Sequence, residues 1–546
     1  MKISKLFGSA LFAISLCVSA CDEIGTQAVL NTEPSIRPQK IDMTGVQGFA
    51  IVENTSNAPR TKADINGDGV DDDMPNGNGG EAVTTSPYAL YTIDENGELH
   101  ASIFYFEVVP SEDGSTDVSN TEVLKEISNA LQIVPSLVTD LGKYILFSGC
   151  EYHIVDTEIS DEARAICESF IQNNMWGHRV YMIRKSDGAL FDLSNQSIFT
   201  YSYMEPIDEF MGIYNHWFSP QYVNYNALNQ YIPTYRYMIS PKGNLFAQSC
   251  CDDHISQIVD NGDAIDLKQL SQDYDINSLP RFIVDKSENI YLYYDLGIYR
   301  NIDIYFSDGG FDSIDITSDC HMFFDMKVDN NGGAYIFFLE NHDSGPYIKA
   351  GILSNGKYVE SSGISIPGYT HTPYATYGGD PVIYPHYIGF SNGDFKWFLS
   401  QEFWSDYYNN EPTKTFKTIT YNKDSDEWIL KDLPKELYDL LTKRYDSLLC
   451  GIKSYGVNVS SNLIEVSEID IENESSRQYT FNIDLSFIKS QRYIATTLNG
   501  SPYLIINGKN SDSGANISLK INLTNGENNS TFAPDGRNVV SFYRIN

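Results

Sequence analysis

The sequence predicts an all-β protein built mainly as one β-propeller, and three observations predict it. From about residue 84 the chain is dense in Tyr, Phe, Ile and Val, set in short runs between Gly, Asn and Asp turns, which is the pattern of strands and hairpins. A strand–turn–strand unit recurs along this region. The turn positions at 188, 243, 288 and 332 are 55, 45 and 44 residues apart, close to the length of a four-stranded propeller blade.

The unit reads Tyr91-Thr92-Ile93-Asp94-Glu95-Asn96-Gly97-Glu98-Leu99 in its first copy, and Tyr181 to Phe191 turning at Gly188 in its second. The third and fourth run from Tyr237 to Phe246 around Gly243 and from Phe282 to Tyr291 around Glu288. Met326 to Tyr335 around Gly332, Ile388 to Phe395 around Gly393, and Thr496 to Tyr503 around Gly500 complete the set. The unit resembles the hairpins of NHL-like and related bacterial propellers, where a hydrophobic residue, Asp, a Gly-Asn turn and an aromatic strand recur in each blade. That resemblance implies six to eight blades, with seven preferred. The interval from 97 to 188 is twice a blade, and Lys143 to Phe147 makes a strand within it, as if one blade signal were missing. A pair of β-sandwiches is the competing architecture, but regular repetition favours a ring, because radial closure leaves only short sheet edges.

Two helical stretches interrupt the strands. Asp161 to Asn173 carries Ala163, Ile166, Cys167, Phe170 and Ile171 at helical intervals, with Ser160 placed to cap it. Leu433-Pro434 opens a second helix through Lys443, with Leu437, Leu440 and Leu441 on one face.

Ahead of the propeller the chain reads as a signal and a tether. Lys2 and Lys5 precede an apolar run from Leu6 to Val18, and Val18-Ser19-Ala20-Cys21 closes it with small residues, the grammar of an export signal. The last four residues resemble the lipobox of bacterial lipoproteins, with Val18 in place of the commoner Leu. The resemblance implies a signal peptide over 1–20, lipid attachment at Cys21 and a membrane-anchored protein. Asp22 and Glu23 follow, a feature that accompanies display on the outer face of the outer membrane in some Gram-negative lineages. An ordinary secretory signal is the alternative reading. Residues 21–83 then read as a flexible acidic tether, rich in Asn, Thr, Pro, Asp and Gly and nearly devoid of aromatics apart from Phe49, leaving 84–546 as the propeller.

Within that stretch Asp64, Asn66, Asp68, Val70 and Asp72 fall at calcium-loop spacing, with Gly69 at the sixth position. Pro75 stands where an EF-hand has its bidentate Glu, so the motif is closer to the short Asp-rich repeats of thrombospondin type 3 and dockerin modules. The choice lies between a calcium site and a solvated acidic turn. No other cofactor is expected.

Composition limits the partners. Lys and Arg total 37 against 73 Asp and Glu, a net charge of -36, which repels phosphate backbones and excludes nucleic acid as a natural partner. Of the cysteines, Cys17 leaves with the signal and Cys21 takes lipid, while Cys150, Cys167, Cys250, Cys251, Cys320 and Cys450 match no zinc spacing; sequence does not choose among their possible disulfide pairings, and buried free thiols are the default reading.

No nucleophile elbow, zincin or phosphate-loop motif is present, and no catalytic residue is assigned. The segment from His371 through Tyr374, Tyr377, Asp380 and Tyr384 to His386 offers two imidazoles and a carboxylate for acid–base work, although a Pro- and Gly-rich turn collects such residues anyway. Between Tyr201 and Tyr237 lie eight tyrosines. Tyr214, His216, Trp217, Tyr222, Tyr225 and Tyr231 are the candidate ligand-binding residues, because flat apolar faces with a polar edge suit sugar rings and protein contacts. Trp397, Trp404, Tyr407 and Tyr408 form a second aromatic group. The same aromatics also suit blade-to-blade packing. The expected function is a non-catalytic surface lipoprotein that binds a glycan or an outer-membrane protein through propeller loops. A polysaccharide-active enzyme on the same scaffold and a structural subunit of an outer-membrane complex are the alternatives.

Overall fold

Eight blades, not the preferred seven, close the ring in the computed structural model. It describes residues 35–54, 88–109, 121–155, 158–174, 179–194, 237–248, 254–271, 281–295, 300–316, 322–342, 345–354, 357–366, 382–391, 394–403, 413–432, 447–450, 453–470, 473, 475–498, 501–530 and 537–545. Each blade is an antiparallel four-stranded sheet, counted here from its inner to its outer strand. Blade 2 runs through Leu137–Leu141, Tyr144–Ile154, Arg179–Arg184 and Leu190–Asp192. Blades 3 to 8 follow over 237–269, 281–315, 322–365, 382–432, 447–481 and 488–529. Blade 1 joins both ends of the chain: its inner strand is Arg537–Arg544, and its outer three are Gly48–Asn54, Tyr88–Ile93 and Leu99–Ala101.

The recurrent unit is a tight hairpin of defined chemistry. In blade 4 Asp285 opens the turn, and its Oδ1 accepts the N–H groups of Ser287 at 2.8 Å and Asn289 at 2.9 Å. In blade 5 Asp329 takes Asn331 at 2.8 Å and Gly333 at 2.7 Å, and in blade 1 Asp94 takes Asn96 at 2.8 Å and Glu98 at 2.9 Å. The fourth turn residue lies in the left-handed region, with φ of 74° at Gly97, 79° at Gly243, 66° at Glu288 and 78° at Gly332. That is the three-residue hairpin in which a type I turn ends in a glycine bulge. Gly332 is needed twice over, since a Cβ there would lie 2.3 Å from the Cβ of Lys286. Glu288 accepts the same φ, and its carboxylate is hydrogen-bonded by the Asn244 amide of blade 3.

The seven sequence units occupy blades 1 to 6 and blade 8. In blades 1 and 2 they form the outer hairpin, in the others the inner one. Blade 7 carries none of the seven units: its inner strands, Ser447–Cys450 and Lys453–Val459, are separated by Gly451-Ile452, with neither Asp nor Asn. The long interval from 97 to 188 hides no further blade. It holds an insertion: Phe104–Val109 pairs with Ser35–Ile41, helix α1 (Thr121–Ala130) follows, and Leu131–Val134 pairs with the far half of Tyr144–Ile154. Helix α2 (Asp161–Asn174) appears where its periodicity places it, and the Ser160 Oγ accepts the Ala163 N–H at 3.3 Å. Cys150 and Cys167 are buried and free, as expected of them. The second expected helix, 433–443, lies outside the described residues.

Residues 35–54 correct the reading of 21–83 as tether. Phe49, Ala50 and Val52 are fully buried, because Gly48–Asn54 is a sheet strand hydrogen-bonded on both sides. The many polar residues around this strand hid it from a reading by composition.

Blades pack face to face through apolar clusters. Trp397 of blade 6 is wholly buried against Phe337 of blade 5, and its indole N–H donates to the buried Asp325 of that blade at 2.9 Å. Between blades 2 and 3, Arg184 grips Asp260 and Asp187, and the Tyr144 hydroxyl donates to Asp260 at 3.1 Å. Burial pushes the Tyr144 phenol up to about 12, reinforced by the Asp260 charge. Burial alone would raise the Asp260 carboxyl, but hydrogen bonds from Arg184, Gly262 and Tyr144 outweigh it and hold it below the usual carboxylate range.

At the closing seam the inner strand of blade 1 carries a bulge at Val540. Asn507 of blade 8, 4% exposed, repairs it: its Nδ2 donates to Val539 O at 2.7 Å and its Oδ1 accepts the Val539 N–H at 3.3 Å. Lys520 of blade 8 donates to the Gly97 carbonyl at 3.1 Å. Replacing Asn507 by Ala removes the side-chain donor to the Val539 carbonyl and leaves the Val539 N–H to Ser518 Oγ at 3.3 Å, at a cost of about 1–3 kcal/mol for a buried group left unpaired. Urea unfolding of Asn507→Ala is expected to show that loss, and an unchanged midpoint would refute this role.

Candidate functional site

Strand direction alternates within every blade, so the connections divide between two faces of the ring. Those joining first to second and third to fourth strands lie on one face, and none is longer than the five residues of 94–98 or 285–289. These turns also hold one another: Lys286 N–H donates to Gly332 O at 2.9 Å, and Lys185 N–H to Lys143 O at 3.0 Å. The other face receives the connections between second and third strands and between successive blades. Every long connection leaves from it, including 55–87, 102–136, 155–178, 193–236, 366–381, 404–412 and 433–446. Loops that leave a rigid scaffold on one side are where binding residues gather.

The strands that bracket the expected ligand-binding segment end on this face. Leu190–Asp192 precedes it and Tyr237–Ile239 follows it, while Tyr214, His216, Trp217, Tyr222, Tyr225 and Tyr231 lie outside the described residues. The calcium-loop residues Asp64, Asn66, Asp68, Val70 and Asp72 also lie outside them. Their bracketing strands are paired neighbours, with Glu53 opposite Tyr88, so the motif belongs to a closed excursion from blade 1 and not to a free tether. His371, Tyr374, Tyr377 and Asp380 are outside the described residues as well, as are Trp404, Tyr407, Tyr408 and Cys21. Tyr384 and His386 lie on Val382–Ser391, described here by its backbone pairing alone. The strands that bracket both aromatic segments and the histidine segment thus end on the same face. Trp397 does not belong with them, because it is core.

Where the long-loop face meets blade 2, a polar cluster anchors the inserted helix. The Tyr152 and Tyr181 hydroxyls are hydrogen-bonded to each other, Phe170 of helix α2 packs edge-on against Tyr152 at 4.7 Å, and Arg179 pairs with Asp192 at 3.0 Å. Burial pushes both phenols far above their ordinary value, so they stay neutral at physiological pH. The cluster holds the base of the face in place.

Arg537 stands at the inner end of the same face. It is the first residue of its strand, opposite Asn54, and its guanidinium stacks 5.4 Å from the Tyr91 ring centroid. Sequence reasoning missed it, because nothing in the local pattern shows that the last strand of the chain lines the first blade.

The tight-turn face carries a small cleft of about 150 Å³, lined by Asp42, Thr44, Thr92, Asp94 and His100 over Val46 and Ile103. His100 Nε2 lies 3.0 Å from Asp94 Oδ2. Among the described residues no group of three or more His, Cys, Asp or Glu side chains is placed to hold a metal ion.

Fold and site together define an eight-bladed propeller that is braced on one face and elaborated on the other. No protein-family model matches the chain, and no curated protein matches it in sequence. Among solved structures it is similar to virginiamycin B lyase from Staphylococcus aureus, at 14% identity and a TM-score of 0.26 over 56% of this chain and 86% of that one. It is also similar to the polysaccharide lyase Uly1, at 10% identity and a TM-score of 0.30 over 71% and 90% of the two chains. A protein from Lactobacillus plantarum gives 11% and 0.30 over 74% and 99%. Identities and scores this low carry none of those activities to this chain.

The placement of Trp397 has a measurable consequence. Trp397→Phe removes a donor from buried Asp325 and is expected to cost about 1–3 kcal/mol of stability without changing affinity for any ligand of the long-loop face. Denaturant unfolding beside a binding assay separates the two, and an affinity loss in a fully folded variant would return Trp397 to the binding surface.

Proposed function

We propose that this chain is an exported, lipid-anchored surface protein whose long-loop face binds a glycan without turning it over. The observation that carries the reading is the asymmetry of the ring: every long connection leaves one face, and the Tyr-, Trp- and Asn-rich segment 201–237 is among them. Aromatic rings with polar edges suit the faces and hydroxyls of sugars.

Anchoring through Cys21 gives the body a short leash. The first described strand begins at Ser35, and the chain between it and Cys21 spans at most about 50 Å at full extension, which keeps the ring close to the bilayer in this proposal. No helix among the described residues is long and apolar enough to cross a membrane; attachment in this proposal rests on the lipid, and the acidic residues after Cys21 favour display on the exterior of the outer membrane. Calcium at Asp64 to Asp72 would stiffen the excursion 55–87 beside the binding loops, in place of stiffening a tether.

A glycan array probed with the full chain, scored for binding and for product release and run with calcium and with chelator, tests the reading. Binding without product is the expected result, weakened by chelator and, in Asp68→Ala, insensitive to it. Product release would show a polysaccharide-active enzyme, and capture of an outer-membrane protein with no glycan binding would show a complex subunit; either outcome overturns the proposal. Cys21→Ser is expected to abolish acyl-chain labelling and free the protein from membranes. Persistent labelling would move the anchor elsewhere.

A further inference from the structure

Arg537 is out of keeping with the electrostatics of this chain. Acidic residues outnumber basic ones by 73 to 37, and arginines elsewhere find them: Arg37 meets Glu107, Arg179 meets Asp192, Arg184 meets Asp187 and Asp260, and Arg477 meets Glu468. Among the described residues Arg537 has no hydrogen bond and no carboxylate, only the face of Tyr91 at 5.4 Å. It is half-buried, and burial alone pulls its guanidinium below the ordinary value, with no charge or hydrogen bond to offset the loss.

Withdrawing a cation from water without a counter-charge is unfavourable. A stacked guanidinium keeps its planar fork of donors in one orientation, which matches the oxygens of a carboxylate or sulfate. The location adds a second argument. Arg537 begins the inner strand of blade 1 opposite Asn54, where that strand reaches the long-loop face at the seam between the first and last blades.

We propose that Arg537, held by Tyr91 at the mouth of the long-loop face, is an anion-recognising group that takes the carboxylate or sulfate of an acidic sugar. The inference rests on the glycan-binding reading of that face and names the substrate class. The net charge of -36 repels densely charged polyanions, so the fit is to a glycan with isolated anionic groups among neutral sugars.

The test is an array of neutral, uronate-containing and sulfated oligosaccharides, probed with the full chain, Arg537→Gln and Arg537→Lys, each variant first checked for an unchanged unfolding transition. The expected result is binding to acidic members of the array, reduced tenfold or more in Arg537→Gln, reduced less in Arg537→Lys, and neutral binding unchanged in both. Binding confined to neutral sugars overturns this inference and leaves the glycan-binding reading standing. Equal acidic binding by wild type and Arg537→Gln makes Arg537 a packing residue and likewise overturns it. No binding to any member of the array overturns both. Should Arg537→Gln fail to fold, Arg537→Lys alone decides, since a lysine keeps the charge and loses the fork.

Discussion

The ring depends on one strand pairing. Arg537–Arg544 lies against Gly48–Asn54 in seven-residue register, and the Ile545 N–H extends the pairing by donating to Gln47 O at 3.1 Å. Each other blade is complete in itself and meets its neighbours mainly through side chains. Without the pairing, blade 1 would lose its inner strand and blade 8 a packing partner, exposing the sheet edges that a closed ring hides. The side-chain work at this seam reflects that burden. Asn507 mends a bulge, Lys520 caps a turn, and the Tyr543 hydroxyl donates to Ser136 O at 2.8 Å to tie the closing strand to blade 2.

Closure also explains why the two faces differ. On the tight-turn face, adjacent turns touch backbone to backbone, and a single methyl at Gly332 would already overlap Lys286. A turn there has no room to lengthen. On the opposite face the connections run longer, and where they are described they pack on one another, as where the Ser160 N–H donates to Glu126 at 3.1 Å. The helical insertion shows how far this goes. It adds two helices and a strand pair beside blade 2, and Gln132, 1% exposed, ties it back by accepting the Leu90 N–H and donating to Ser102 O.

What was legible in the sequence was local chemistry that repeats. Asp285 and Asp329, with their left-handed fourth residues and following tyrosines, mark a hairpin because the carboxylate must sit beside two N–H groups of its own turn. Blade 7 was invisible because the residues between its inner strands, Gly451-Ile452, include neither the Asp nor the Asn that marks the other units. Gly48–Asn54 was invisible because its partners lie at the far end of the chain and the tract around it is polar. Trp397 stayed open between core and surface, because an aromatic residue near other aromatics looks the same in a sequence whether it faces solvent or Asp325. Of the site, the loops could be singled out by composition, but the face they share follows only from strand order, and Arg537 only from closure.

The division between faces has an energetic basis that favours loop-borne function. The entropy of closing a flexible loop grows only with the logarithm of its length, by about 0.6 kcal/mol for each doubling. A connection as long as 193–236 is therefore scarcely more costly to the ring than one a quarter its size, provided its ends are fixed. Here they are fixed by sheet strands whose other ends run into tight turns, one held by Asp187 accepting the Ala189 N–H and the other by Ser240 accepting the Asn244 N–H. The braced face thus fixes the ends of the connections on the opposite face, and the length of such a connection adds little to the cost of closing the ring.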